Sequence, residues 1–197
     1  MEYEKQKIAF VKRSSIIWIV FLVAMDQAVK LFIAHFMMDA QFTIIPHVFT
    51  FKTTQNIHLG WIWNMLDFMM PLHIAVVISV IAILVIIVFY RYLKFITFSW
   101  GKYSGIPTIF LILTMSGAFC KLIDDIFWGG SLDFIQLFDW FIFDLKDVYL
   151  TIASIMMFFF AIAHEVYHHK LPKEKREEEK MRQKFWCWVK LGFPMKP

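Results

Sequence analysis

Four stretches of the chain are apolar almost without interruption: Ser14 to Met38, Pro71 to Tyr90, Ile106 to Ile123 and Asp147 to Ala163. Each approaches the roughly 17–25 residues that an α-helix needs to cross a bilayer, the fourth at the short limit. A soluble fold cannot absorb them. Apolar residues make up 59% of the 197, whereas about half of a soluble domain is apolar at most. Lipid must act as a second solvent, and in lipid every backbone polar group has to be satisfied within its own segment, which selects helices. A transmembrane barrel would show short alternating strands instead of long runs. The expectation is an all-α membrane protein with four transmembrane helices. The first run follows Lys5, Lys7, Lys12 and Arg13, as in a secretory signal peptide. It is too long for one and lacks a small-x-small cleavage site after it, so it reads as a retained span.

Charge orients the spans. Sixteen of the twenty Lys and Arg residues fall in the N-terminal arm, in the link between the second and third runs (Arg91, Lys94, Lys102) or after His169. The segment from Asp39 to Met70 has only Lys52, and that from Asp125 to Lys146 only Lys146. The positive-inside rule then places both termini in the cytoplasm and the two sparse segments outside. A sequence pI near 9.0 thus reflects membrane orientation, and no basic–aromatic nucleic-acid motif is present. No nucleic-acid partner is expected. Residues 1–169 read as the membrane domain and 170–197 as a basic cytoplasmic tail, a charged helix followed by an aromatic–basic patch resting on the anionic inner leaflet. Cys120 and Cys187 read as unrelated free thiols.

Both outer segments carry strand signals. Phe42 to Thr54, FTIIPHVFTFKTT, alternates and is β-branched, predicting two or three short strands. The following WIWNMLDFMM predicts a short interfacial helix with Trp61 and Trp63 at headgroup depth. In the second segment a Gly129-Gly130 turn stands between strand-like flanks.

Charges inside apolar runs are costly and mark functional candidates. Asp26 and Lys30 are spaced i, i+4 on one face of the first span and can pair. Lys121 and Asp124 lie near the outer end of the third span, with Asp125 pointing elsewhere; Asp144, Lys146 and Asp147 open the fourth. The third span ends outside and the fourth begins there, so Asp124 and Asp147 share one depth. Two close carboxylates cannot both ionise. One would take a proton from water while the other, protonated, polarises a scissile carbonyl. The same residues also fit helix caps and interfacial ion pairs, Asp144 and Asp147 in particular.

These residues carry a resemblance to signal peptidase II, the bacterial lipoprotein signal peptidase family. Asp26-Gln27-Ala28-Val29-Lys30 resembles its D-Q-x-x-K motif, and Gly117 to Asp125 (GAFCKLIDD) its G-x-x-x-N-x-x-D-R segment. Leu132-Asp133-Phe134-Ile135 resembles V-D-F-I, and Phe143 to Asp147 (FDLKD) resembles F-N-x-A-D. The motifs occur in order over about Ile16 to Ala163. The resemblance implies an intramembrane aspartic endopeptidase. It would remove the signal peptide from lipid-modified prolipoproteins, cleaving before the diacylglyceryl-cysteine at the outer face of the bacterial cytoplasmic membrane. Asp124 and Asp147 would be the catalytic pair. Asp26, Lys30, Asn56, Lys121, Asp125, Asp144 and Lys146 would bind substrate or support that pair. The outer strands would form a small extracytoplasmic β-cradle and Trp61–Met70 a surface helix. No cofactor or metal is implied. The partners would be the prolipoprotein and membrane phospholipids, with the enzyme a monomer.

The motifs depart from the family pattern at several positions. Lys121 replaces an Asn, Asp125 an Arg, Asp144 an Asn and Lys146 an Ala, and the outer-loop Asn-x-Gly is stretched to Asn56-Ile-His-Leu-Gly60. Lys121 is expected to face Asp124 one turn away and to favour its ionised form. The alternative is an inactive relative that binds lipoprotein or lipid on the same scaffold. A second protease motif, His164-Glu165-Val166-Tyr167-His168, reads as H-E-x-x-H. With His169 on another face and no further ligand evident, it is expected to be incidental.

Overall fold

The computed structural model describes residues 13–57, 71–100, 103–138 and 140–193. Among the described residues, four helices are long and apolar enough to cross a membrane. They are α1 (Arg13–Phe36), α2 (Leu72–Trp100), α3 (Ile106–Ile123) and α4 (Leu145–Lys170). Strands β1 (Gln41–Ile45) and β2 (Phe49–Asn56) connect α1 to α2; β3 (Ser131–Leu137) and β4 (Phe141–Phe143) connect α3 to α4. This up-and-down order gathers all four strands at one end of the bundle. Two short helices, α5 (Lys173–Gln183) and α6 (Phe185–Lys190), follow at the other end. The expected interfacial helix Trp61–Met70, Gly60 of the stretched Asn-x-Gly, and Lys102 lie outside the described residues.

The spans stay apolar on their outer faces as well as at their contacts. Ile17, Val20, Leu84, Val85 and Phe158 are all more than half exposed, the arrangement expected where lipid covers the bundle. Inside, Leu93 and Ile96 of α2 meet Phe110 of α3 and Ala153 and Phe160 of α4. Gly117 permits the close approach of α3 and α4, since a Cβ there would lie 2.7 Å from the Leu150 side chain. Buried Pro107 sits in the first turn of α3, where its missing N–H costs no helical bond.

Two helices are longer than the hydropathy predicts. The second span was expected to end at Tyr90, yet α2 continues through Arg91 and Lys94 to Trp100. The fourth was expected over Asp147–Ala163 at the short limit, yet α4 spans Leu145–Lys170. Hydropathy marks where lipid stops, whereas the helix continues as long as its backbone bonds and contacts are favourable. The start of α4 is fixed by a capping box: the Asp144 carboxylate accepts from the Asp147 N–H, and the Asp147 carboxylate from the Asp144 N–H, both at 3.3 Å. The capping role the sequence left open for Asp144 and Asp147 is therefore real.

The sheet is antiparallel in the order β1-β2-β3-β4. Phe51 of β2 opposes Phe42 of β1 and Ile135 of β3, and Asn56 opposes Ser131. Ile33 of α1 packs with Phe51, Leu132 and Phe134, which joins the sheet to the bundle. The segment before Gly129 differs from its expected strand. Asp124–Trp128 extends α3 as a π-helical turn, closed by Gly129 at φ 66° with its N–H on the Asp124 carbonyl. Continuing the helix keeps Asp125 within i, i+4 reach of Lys121 and brings it to Ser79; a strand there would leave both charges unpaired.

Candidate active site

At the sheet end of the bundle, the helix ends and β3 converge on a buried cluster of charge. Asp26, Lys30, Asp124 and Asp144 have no exposed surface, and Asp133, Ser131 and Lys146 have almost none. The i, i+4 spacing of Asp26 and Lys30 on α1 pairs them at 2.9 Å. Lys30 Nζ also lies 2.7 Å from Asp124 Oδ2 and 2.6 Å from Asp144 Oδ2. Three carboxylates thus take the three protons that an ammonium offers. The cap of α4 supplies the second cation: Lys146 Nζ is 2.6 Å from Asp144, 3.5 Å from Asp124 and 3.7 Å from Asp133, and it donates to Ser131 Oγ.

Strand β3 contributes through its period of two. Leu132 and Phe134 enter the apolar contact with α1, while Ser131 and Asp133 turn to the charges. Ser131 Oγ is 3.1 Å from Asp124 and 2.9 Å from Asp144, and its single proton serves one of them at a time. Asn56, opposite Ser131 on β2, donates to Asp133 Oδ2 at 3.0 Å. Gln27 donates to Asp26 and Asp124, each at 3.1 Å, and accepts from the Trp128 indole.

The acids fall into two overlapping triads. Carboxylate oxygens of Asp26, Asp124 and Asp144 lie within 4.8 Å of one another, as do those of Asp133, Asp144 and Asp147. Lys30 occupies the position a metal ion would take among the first three. Five carboxylates share two ammonium groups, so full ionisation is unfavourable and protons must remain on some of the acids. Burial, reinforced by the charge of Asp144, pushes the Asp133 carboxyl up against the opposing pull of Lys146. Burial would raise Asp144 too, but Lys146 and Lys30 together hold it below the usual carboxylate range. Asp144 and Asp133 are thus pushed in opposite directions by their unequal access to the two lysines. Among the described residues Asp133 Oδ1 has no hydrogen-bond partner, and Asp147 is half-buried.

The structure gathers the expected residues into this cluster except for Lys121 and Asp125. Asp124 belongs with Lys30, Asp26 and Gln27, while the acids grouped with Asp147 are Asp133 and Asp144. The two groups meet at Asp144, which belongs to both, and at Lys146, which also lies 3.5 Å from Asp124. Lys121 does not face Asp124. Its Nζ is 2.5 Å from Asp125 Oδ1, because i+4 lies more nearly above a helical side chain than i+3 when the turn between them is widened. Asp125, which also accepts from Ser79 at 3.2 Å, belongs to this separate pair. Sequence reading quoted Asp133 within a motif but assigned it no role, and passed over Ser131. The polar–apolar alternation of Ser131-Leu132-Asp133-Phe134 is the signal that could have found both.

Comparison with known proteins agrees with this architecture. The sequence profile described as signal peptidase (SPase) II matches residues 18–163. No curated protein matches the chain. Among solved structures, one described as a bacterial membrane enzyme at 2.3 Å resolution is 24% identical with a TM-score of 0.61, over 81% of this chain and 93% of its own. A second, likewise a bacterial membrane enzyme, at 1.9 Å resolution, is 25% identical with a TM-score of 0.57, over 74% and 90%. With its profile matched across most of the length and its four spans and four-stranded sheet in place, the chain belongs to the signal peptidase II family.

Proposed function

We propose that the chain is an aspartic endopeptidase that cleaves lipid-modified prolipoproteins before the diacylglyceryl-cysteine, at the outer face of the bacterial cytoplasmic membrane, with Asp133 and Asp147 as its working pair. The observation that carries this reading is the triad of Asp133, Asp144 and Asp147 within 4.8 Å in a chain of this family. Asp144 lies 2.6 Å from both lysines, closer than Asp133 lies to Lys146 at 3.7 Å, so Asp144 is the acid most fully held by cations and we assign the chemistry to Asp133 and Asp147. Asp147 keeps the role expected from the sequence, and Asp133 takes the place expected of Asp124.

The steps follow from the environments. Ionised Asp147 accepts a proton from water as the water oxygen attacks the scissile carbonyl carbon. Protonated Asp133 gives its proton to the carbonyl oxygen, forming a neutral tetrahedral diol. Asp147 then returns its proton to the leaving amide nitrogen of the cysteine. Asp133 recovers one from a diol hydroxyl as the C–N bond breaks. Asn56 holds Asp133 through Oδ2, and Oδ1 faces Lys146 at 3.7 Å.

The test is cleavage of a lipid-modified prolipoprotein by the purified protein. Asp133→Asn and Asp147→Asn should each lower turnover by about 10²–10⁴-fold, the usual worth of a positioned acid or base, with the double variant little worse. Asp125→Asn is the control that should retain turnover. Full activity in Asp133→Asn, with loss in Asp124→Asn at normal folding, would return the pair to Asp124 and Asp147. One observation favours an inactive, lipoprotein-binding relative: Lys146 lies 3.7 Å from Asp133, and an ammonium there favours ionising the member of the pair that must hold the proton. Under that reading wild type binds the lipid-modified substrate without cleaving it, and Lys146→Ala gains turnover.

A further inference from the structure

At the other end of α4 lies a cluster of metal-ligating groups with no part in the acid site. His164 and His168 begin about 17 residues beyond Asp147, roughly 26 Å along the helix at 1.5 Å per residue. Their spacing of four residues stacks the rings on one face, with centroids 4.3 Å apart, and sets Nε2 opposite Nε2 at 3.1 Å. Two ligands of a tetrahedral zinc ion, each about 2.0 Å from the metal, stand about 3.3 Å apart. The two nitrogens are therefore close to the separation at which they would share one ion.

The structure also supplies the carboxylate that the sequence lacked. Helix α5 folds back so that Glu179 Oε2 lies 3.9 Å from His168 Nδ1, beyond hydrogen-bond distance but near enough to act as a charge. A carboxylate behind Nδ1 favours the tautomer that carries its proton there, which turns the Nε2 lone pair outward to a metal. His168 is almost fully buried, with Phe160 beside His164 and Tyr167 beside His168. Glu165 points away from this face: it is exposed and about 100° round the helix from His164. The H-E-x-x-H spacing thus keeps the geometry of a metal clip, with both imidazoles on one helix face.

We propose that His164 and His168 bind a divalent transition-metal ion of the zinc class through Nε2, with Glu179 behind His168 Nδ1, and that the bound ion, by drawing charge from the His168 ring, strengthens the His168–Glu179 contact that holds tail helix α5 to the end of α4. The site is independent of the peptidase reading. The lone pairs come from neutral imidazoles, so binding needs a tautomer shift at one ring and no redox step.

The experiment titrates the purified full-length chain with Zn²⁺ by calorimetry and follows tryptic cleavage within Lys173–Gln183. Wild type is expected to take up a single ion, and zinc is expected to slow cleavage in α5. His164→Ala should abolish binding, and Glu179→Gln should weaken it by about 10- to 100-fold, as loss of a carboxylate behind a ligating histidine does. Glu165→Gln and Cys187→Ser should bind as wild type does. Glu179 lies on a charged, largely exposed helix, so its variant keeps the test intact if a histidine variant misfolds. Absence of zinc binding by wild type, unchanged binding in both His164→Ala and Glu179→Gln, or loss of binding in Cys187→Ser would overturn the proposal. So would binding that leaves α5 cleavage unaltered.

Discussion

A lysine one helical turn before two successive aspartates has one ammonium for two acids, and the backbone decides between them. Lys121 pairs with Asp125 at 2.5 Å and leaves Asp124 to Lys30. The consequence concerns stability, not proton traffic. Lys121→Asn strands a nearly buried Asp125 on Ser79 alone and should destabilise the protein, while Lys121→Asn with Asp125→Asn should recover much of the loss. A double-mutant cycle by thermal unfolding in detergent should show a coupling of about 1–3 kcal/mol. A pH–activity profile that shifts in Lys121→Asn without a change in stability would instead restore Lys121 to the acid site. Asp133 offers the opposite case, a titration that reaches stability. Burial raises its pKa above the usual carboxylate value, so the folded state holds that proton more tightly than the unfolded state. The resulting stabilisation is complete below the unfolded value and is lost as pH rises through the folded one. Asp133→Asn removes this dependence. Its melting temperature should fall less than that of wild type as pH is raised from the acid side towards neutrality, and parallel curves would contradict the assignment.

Among the elements, β3 links sheet and chemistry, and it shows why parts of the site were hidden in the sequence. The four spans are legible because each is a long apolar run. The charges within them stand out because they are expensive there: Asp26, Lys30 and Asp124 were all found on that ground. Ser131 and Asp133 lie in an outer segment where polar residues cost nothing in sequence terms. Only the docking of Leu132 and Phe134 on Ile33 and Phe51 turns the alternate residues inward. Strand position in turn depends on the Gly129-Gly130 turn. Gly130 has φ 151°, and a Cβ there would lie 2.6 Å from the Asn56 carbonyl oxygen. Gly130→Ala must therefore push β2 from β3 where Asn56 opposes Ser131, loosening the Asn56–Asp133 bond. It should cost about 1–3 kcal/mol and lower turnover more than protein abundance. Gly129, at φ 66° with nothing within 4 Å of an added Cβ, should tolerate Asn, which accepts the left-handed region. Equal effects of Gly130→Ala and Gly129→Asn on activity would separate the turn from the site.

For the whole molecule, two ends of one bundle carry opposite electrostatics, and this asymmetry fixes how the protein should sit in a membrane. The acid cluster and the sheet share one end. The Lys- and Arg-rich tail and the link between α2 and α3 share the other, which the positive-inside rule assigns to the cytoplasm. The two cysteines make this testable with little alteration. Cys120 is fully buried and Cys187 lies in α6 of the tail, partly accessible. Thr54 is an exposed residue of β2, so Thr54→Cys adds a thiol at the opposite end. A membrane-impermeant maleimide should label Thr54→Cys in intact cells, leave wild type unlabelled there, and reach Cys187 only after the membrane is permeabilised. Because all four spans alternate in direction, these two positions report on the entire topology. Labelling of Cys187 in intact cells with Thr54→Cys protected would place the acid site on the cytoplasmic side, and the proposed cleavage at the outer face would then be wrong even with the same residues performing it.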